Sequence, residues 1–119
     1  MMSKTVIHLF HDDVDSLALG PRVAQRILEV AEDRGVGIEV FCFGPAQRCL
    51  TNTCDSEAAA TYNSMLDNLI AAGVVVGACI NAARADGVEA ELEKRGFTLR
   101  VARDEFVRFT LEQATVITF

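Results

Sequence analysis

Apolar residues in this chain fall into short runs separated by longer stretches of helical period, and glycine marks the joins. Gly35, Gly73 and Gly96 each follow a helical pattern and precede an apolar run: DRG before VGIEVFCFG, AAG before VVVGAC, and KRG before FTLRV. Glycine just past a helix end accepts the left-handed conformation that closes the last turn. Helix, glycine, strand, three times over, predicts an alternating β/α chain with a mostly parallel sheet. The predicted strands are β1 over 5–10, β2 over 37–43, β3 over 74–79, β4 over 97–101 and β5 over 115–119. The β2 and β3 segments are apolar nearly throughout, as strands covered on both faces should be.

Between the strands the period changes to 3.6. Leu19, Val23, Ile27, Leu28 and Ala31 share one face of a first helix; Ala58, Tyr62, Met65, Leu66 and Leu69 share one face of a second. Val88 with Leu92, and Phe106 with Phe109, mark two more. Pro21 leaves two starts open for the first helix. Either it begins at Gly20–Pro21, or it begins near Asp15–Ser16 and carries the proline inside, at the cost of a hydrogen bond. Residues 45–56 form the longest irregular stretch, with Asp55 or Ser56 as the cap of the helix that follows. The expectation is one domain over 1–119, a three-layer α/β/α fold around a five-stranded, mostly parallel sheet.

Composition narrows the function. Half of the 119 residues are hydrophobic, enough for a core without metal or disulfide staples. A net charge of −6 without a basic stripe argues against nucleic acid as a partner. No run approaches the roughly 18 apolar residues of a membrane helix, and the start lacks the pattern of a signal peptide. A cytoplasmic chain with reduced cysteines is expected. Cys42, Cys49, Cys54 and Cys79 contain no C-x-x-C spacing, which removes the strongest redox and zinc signals.

In an open parallel sheet, ligands collect beyond the carboxyl ends of the strands, where strand order reverses. A flavodoxin-like order puts that crevice between β1 and β3, with Cys79 at its floor. The segments around it are HDDVDS after β1, GPAQRC after β2 and INAARADG after β3. With Asn81 or its neighbour capping the next helix, Cys79 lies within about two residues of a helix N-terminus, where thiolate is stabilised. The alternative is that Cys79 is a small buried hydrophobe. Cys42, between Phe41 and Phe43, reads as core. Cys49 and Cys54 bracket LTNT and read as ordinary loop cysteines, a redox-sensitive pair, or a second thiol near Cys79. His8 reads as a packed strand histidine. His11, beside Asp12 and Asp13, is either a proton shuttle or cation ligand, or part of a solvated loop whose Asp13 or Asp15 caps the first helix. Nothing in the spacing asks for a metal.

Three related classes are excluded by chemistry. A flavodoxin needs a hydroxyl- and glycine-rich phosphate loop after β1, where this chain has three aspartates. A phosphoryl receiver needs an aspartate ending β3 and a lysine ending β5, where this chain has Cys79 and VITF. GPRVAQ and GPAQRC are not the G-x-G-x-x-G of dinucleotide binding.

What remains resembles the DsrE/DsrF-like family with its YchN-like fold. The resemblance spans nearly the whole chain and rests on Phe10–Asp13, Phe41–Pro45, Gly73–Asn81 and Thr115–Phe119, in that order and spacing. It implies a sulfur-relay role in which the cysteine ending β3, here Cys79, receives and passes sulfur as a persulfide. It also implies a trimer or hexamer with no prosthetic group. After Cys79 the chain reads I-N-A-A, where the family more usually has small or polar residues before a threonine or serine. The expectation is therefore a sulfur carrier or sulfurtransferase-like protein with sulfur donor and acceptor proteins as partners. Cys79 and His11 form its reactive pair, and Asp12, Asp13, Gly44, Pro45, Arg48 and Asn81 its ligand contacts, with Arg48 drawing in an anionic sulfur species. Its rivals are a non-catalytic oligomeric module that binds a small ligand or a protein, and a thiol redox sensor built on Cys49 and Cys54.

Overall fold

The computed structural model describes residues 3–51, 54 and 56–119. The strands are β1 (Ser3–Leu9), β2 (Val36–Cys42), β3 (Val75–Cys79), β4 (Thr98–Arg100) and β5 (Thr115–Thr118). The helices are α1 (Val14–Arg34), α2 (Gly44–Arg48), α3 (Glu57–Ala71), α4 (Ile80–Ala85), α5 (Glu89–Arg95) and α6 (Ala102–Leu111). All four strand pairings are parallel, in the order β4-β3-β2-β1-β5. Each of the first three crossovers steps one strand further, and α6 then returns the chain past the whole sheet to the far side of β1. The crevice expected between β1 and β3 therefore does not form, because β2 lies between them. Strands β4 and β5 are the two edges of the sheet.

The two sheet faces are covered unequally. One face, through Ile7, Leu9, Val40, Cys42, Val76 and Ala78, packs on α1, α3, α4 and α5, with Leu17, Tyr62, Leu66, Leu69, Ala83 and Leu92 completing the core. The other face carries a smaller cluster of Val6, Phe41, Cys79, Ala102 and Phe109, covered by α6. Three layers follow, as the patterning predicts. The apolar residues of β2 and β3 face both ways because both faces are packed.

Helix ends follow their local chemistry. Asp13 is the N-cap of α1, accepting from the Ser16 backbone N–H at 3.1 Å and the Ser16 hydroxyl at 2.7 Å. The earlier of the two possible starts is thus the real one, with Pro21 buried inside the helix. Gly35 closes that helix at φ +68°. Ser56 caps α3 through the Ala59 N–H; Asp55, the other candidate cap, lies outside the described residues. The stretch read as irregular contains the short helix α2, which begins at Gly44 with Pro45 in its first turn.

Helix α6 is fastened to the sheet by charge. The buried Glu39 carboxylate accepts from Lys4 at 3.1 Å and pairs with the Arg108 guanidinium. Arg108 also binds Glu105, itself buried, at 3.0 Å, and Glu112 at 3.0 Å. Such a network is stable only when every charge has its partner, since a buried unpaired ion is expensive. The Arg108 guanidinium is held even more firmly protonated than usual by its hydrogen bonds to Glu105 and Glu39.

Candidate functional site

Cys79 is the last residue of β3 and the N-cap of α4. The residue is 5% exposed and belongs to the α6-side cluster, with Phe41, Ala102 and Phe109, against which Phe43, Ala82 and Phe106 pack half-buried. The chain immediately below it is thin. An added Cβ on Gly77 would stand 3.0 Å from the Phe41 ring, so the β3 backbone lies close under that ring.

The Cys79 backbone is held by a side chain that the sequence reading passes over. Gln47 of α2, itself 4% exposed, accepts from the Cys79 N–H at 2.9 Å and donates to the Cys79 carbonyl at 2.8 Å. The amide thus mimics a neighbouring strand at the point where β2 has ended and β3 continues. Its only advance signal was a glutamine inside a segment read as loop. Helix α2 is fixed in turn from α3: the Tyr62 hydroxyl donates to the Ala46 carbonyl at 3.0 Å, and the Asn63 amide to the Cys49 carbonyl at 2.7 Å.

On the other side of Cys79 stands Arg100, its register partner on β4. Side chains at paired positions of parallel strands share a face, so Arg100 rises on the α6 side with Cys79. There it lies 3.8 Å from Glu105, with its side chain mostly exposed.

The remaining predicted residues divide by distance from this point. Gly44 and Pro45 open α2 and so build the arm that carries Gln47; Gly44 has φ +60° with the Phe10 ring packed where a Cβ would go. Arg48 ends that arm and is exposed. Asn81 is exposed in the first turn of α4 and is not its cap, a position Cys79 takes itself. His11, Asp12 and Asp13 follow β1, two strand spacings or about 10 Å from β3. No hydrogen bond among the described residues joins them to Cys79. Asp13 caps α1, its carboxyl held below the usual carboxylate range by the Ser16 hydroxyl and backbone N–H, while the His11 backbone donates to the Phe119 carbonyl at 3.1 Å. The expected His11–Cys79 reactive pair is not assembled, because the strand order separates them.

His8 packs as expected, edge-on to Phe106 with ring centroids 5.0 Å apart. Its Nδ1 is 3.0 Å from the Thr118 hydroxyl, and its Nε2 is buried without a hydrogen-bond partner. Burial, and then the nearby His11, push its pKa down. Cys42 is core, as its flanking phenylalanines imply, and burial pushes its thiol up to about 12. Cys49 and Cys54 are joined as a disulfide, against the expectation of reduced loop cysteines. The turn that ends α2 brings their Cα atoms to 4.9 Å, inside the span a disulfide requires. No group of three or more His, Cys, Asp or Glu side chains among the described residues is placed to hold a metal ion. No helix among them is long and apolar enough to cross a membrane.

A five-stranded all-parallel sheet with helices on both faces gives the chain a YchN-like α/β fold. The chain belongs to the DsrE/DsrF-like family, whose model matches residues 17–119. Among solved structures it is similar to BT1422, a conserved protein of unknown function from Bacteroides thetaiotaomicron. That match has TM-score 0.77 and 14% identity, covering 98% of this chain and 95% of the other. It is also similar to the ychN protein of E. coli, with TM-score 0.66 and 18% identity over the whole of both chains. At these identities the likeness establishes the fold. No curated protein matches the chain in sequence.

Proposed function

We propose that this is a cytoplasmic sulfur-relay protein that carries sulfane sulfur as a persulfide on Cys79 and passes it to a partner thiol. The observation that carries this reading is the position of Cys79 in a DsrE/DsrF-like chain: it ends β3, opens α4, and is gripped on both backbone atoms by Gln47. In loading, the Cys79 thiolate attacks the outer sulfur of a donor persulfide R–S–SH. The donor S–S bond breaks, RS⁻ leaves with the electron pair, and Cys79–S–SH forms. Delivery reverses the roles, with an acceptor thiolate attacking the carried sulfur and Cys79 leaving.

The proposal includes a homo-oligomer, trimer or hexamer, and separate sulfur donor and acceptor proteins. What supports the oligomer is the edge strand β5, exposed along its length with Val116 and Ile117 outward, together with Val107 and Leu111 exposed on α6. The test of the relay is to incubate the protein with glutathione persulfide and measure intact mass. Wild type should gain one sulfur atom and Cys79→Ser should not. Equal loading of both, or none on wild type, overturns it.

One observation favours a second reading. The Cys79 thiol is nearly enclosed, which suits a non-catalytic oligomeric binding module in which it only packs. An alkylation rate for Cys79 no faster than that of a model thiol decides for this rival.

A further inference from the structure

We propose that Cys49 and Cys54 form a second thiol site, independent of Cys79, that exchanges electrons with a dithiol. The two sulfurs lie on the opposite side of the sheet from Cys79, against the α3 core. They differ sharply in access. Cys49 is buried at the end of α2, whereas Cys54 is half-buried and lines an open cavity of about 540 Å³. Leu50, Asn63, Asp67, Glu91 and Arg95 line the same cavity.

This asymmetry sets the order of events. A thiolate of the dithiol enters the cavity and attacks Cys54 Sγ; the Cys49–Cys54 bond breaks, and Cys49 leaves with the electron pair and takes up a proton. The second thiol of the dithiol then attacks the mixed disulfide, releasing Cys54 and closing the dithiol into its own disulfide. Two electrons pass from the dithiol to the protein, and no other reactant is needed.

The surroundings suit this exchange. Arg95, paired with Asp67 at 3.0 Å, donates to the Leu50 carbonyl at 2.5 Å and so anchors the residue next to Cys49. The Asn63 amide on the Cys49 carbonyl and the Tyr62 hydroxyl on Ala46 keep α2 in place once the bond opens. The site therefore reacts without unfolding the arm that holds Cys79.

The test uses the full chain. After equilibration with oxidised dithiothreitol and a denaturing alkylation quench, wild type should show only Cys42 and Cys79 as free thiols; after reduced dithiothreitol, all four cysteines should be free, with the circular dichroism of the oxidised form. Pre-reduced Cys49→Ser, which keeps Cys54, should form a mixed disulfide with oxidised glutathione at least about tenfold faster than pre-reduced Cys54→Ser, which keeps Cys49. Four free thiols in oxidised dithiothreitol, or equal capture rates in the two variants, overturns the proposal. The wild-type measurement stands even where a variant folds poorly. Repeating it in Cys79→Ser separates the two sites, since failure of sulfur loading at Cys79 leaves this exchange unchanged.

Discussion

The side-chain amide of Gln47 pairs with the backbone of Cys79 as a strand would, accepting at 2.9 Å and donating at 2.8 Å across 32 residues of sequence. Both partners are buried, so the clamp is made once and not shared with water. Replacing it by Gln47→Leu leaves the Cys79 N–H buried and unpaired, while the Cys79 carbonyl keeps the helical bond that an N-cap carbonyl accepts. At about 1–3 kcal/mol for an orphaned buried group, the loss should come to about 1–3 kcal/mol in denaturant unfolding. Native-state alkylation of Cys79 should also rise, because the end of β3 is no longer fixed. Unchanged stability with unchanged alkylation would show that the clamp is incidental.

Arg108 holds three carboxylates, two of them on buried residues; the pair with Glu39 of β2 ties α6 to the sheet face that carries Cys79, while Glu105 and Glu112 belong to α6 and its C-cap. Arg108→Met removes the charge that Glu39 and Glu105 face, together with the guanidinium carbon that stands 4.9 Å over the Phe109 ring. Truncating one partner of a buried pair typically costs about 3–5 kcal/mol; the partial exposure of Arg108, and Lys4 remaining on Glu39, reduce that to about 2 kcal/mol. Cys79 alkylation should speed up by loosening of α6, a link that thermal melts and thiol kinetics on the same sample can check.

His8 gives the fold a pH response. Its folded pKa is depressed below the ordinary histidine value of 6.5, so the unfolded chain takes up the proton first as pH falls. The stability it contributes is therefore full above pH 6.5 and is lost as pH drops from there toward the lower folded value. The limiting slope for one proton is about 1.4 kcal/mol per pH unit. His8→Phe removes both the titration and the unpartnered Nε2. The urea midpoint of wild type should therefore fall relative to that of His8→Phe as pH drops from 7.5 to 5.5, and a constant difference would refute the assignment.

These positions show what the sequence carried and what it could not. Gly35 and Gly96 end helices at positive φ because of local backbone chemistry, and Asp13 caps α1 for the same kind of reason, so all three were legible. The strands emerged to within a residue or two because each is a dense apolar run. Strand order was not legible. It depends on where α6 delivers β5, and nothing in TVITF says that it pairs with β1 and not with β4. Nor does anything in VVVGAC say that β3 adds beyond β2 and not beside β1, and that placement separates His11 from Cys79 and removes the crevice drawn between β1 and β3. Gln47 was hidden for a related reason: a five-residue helix has too little periodicity to read, and its partner lies far along the chain.

The exposed β5 strand supports the last prediction, which concerns assembly. Val116 and Ile117 point to opposite faces of a strand, yet each is about 40% exposed, so neither face of β5 is covered within one chain. An edge strand left this open is ordinarily blunted by charge or proline, and Thr115–Thr118 contain neither. In the proposed oligomer a neighbouring subunit covers it. Ile117→Lys sets a charge in that contact without touching the core, so the monomer should keep its circular dichroism while its sedimentation mass falls from that of the wild-type assembly to that of a single chain. A wild type that already sediments as one chain at tens of micromolar, or a mutant that keeps its full assembled mass, removes β5 as the contact.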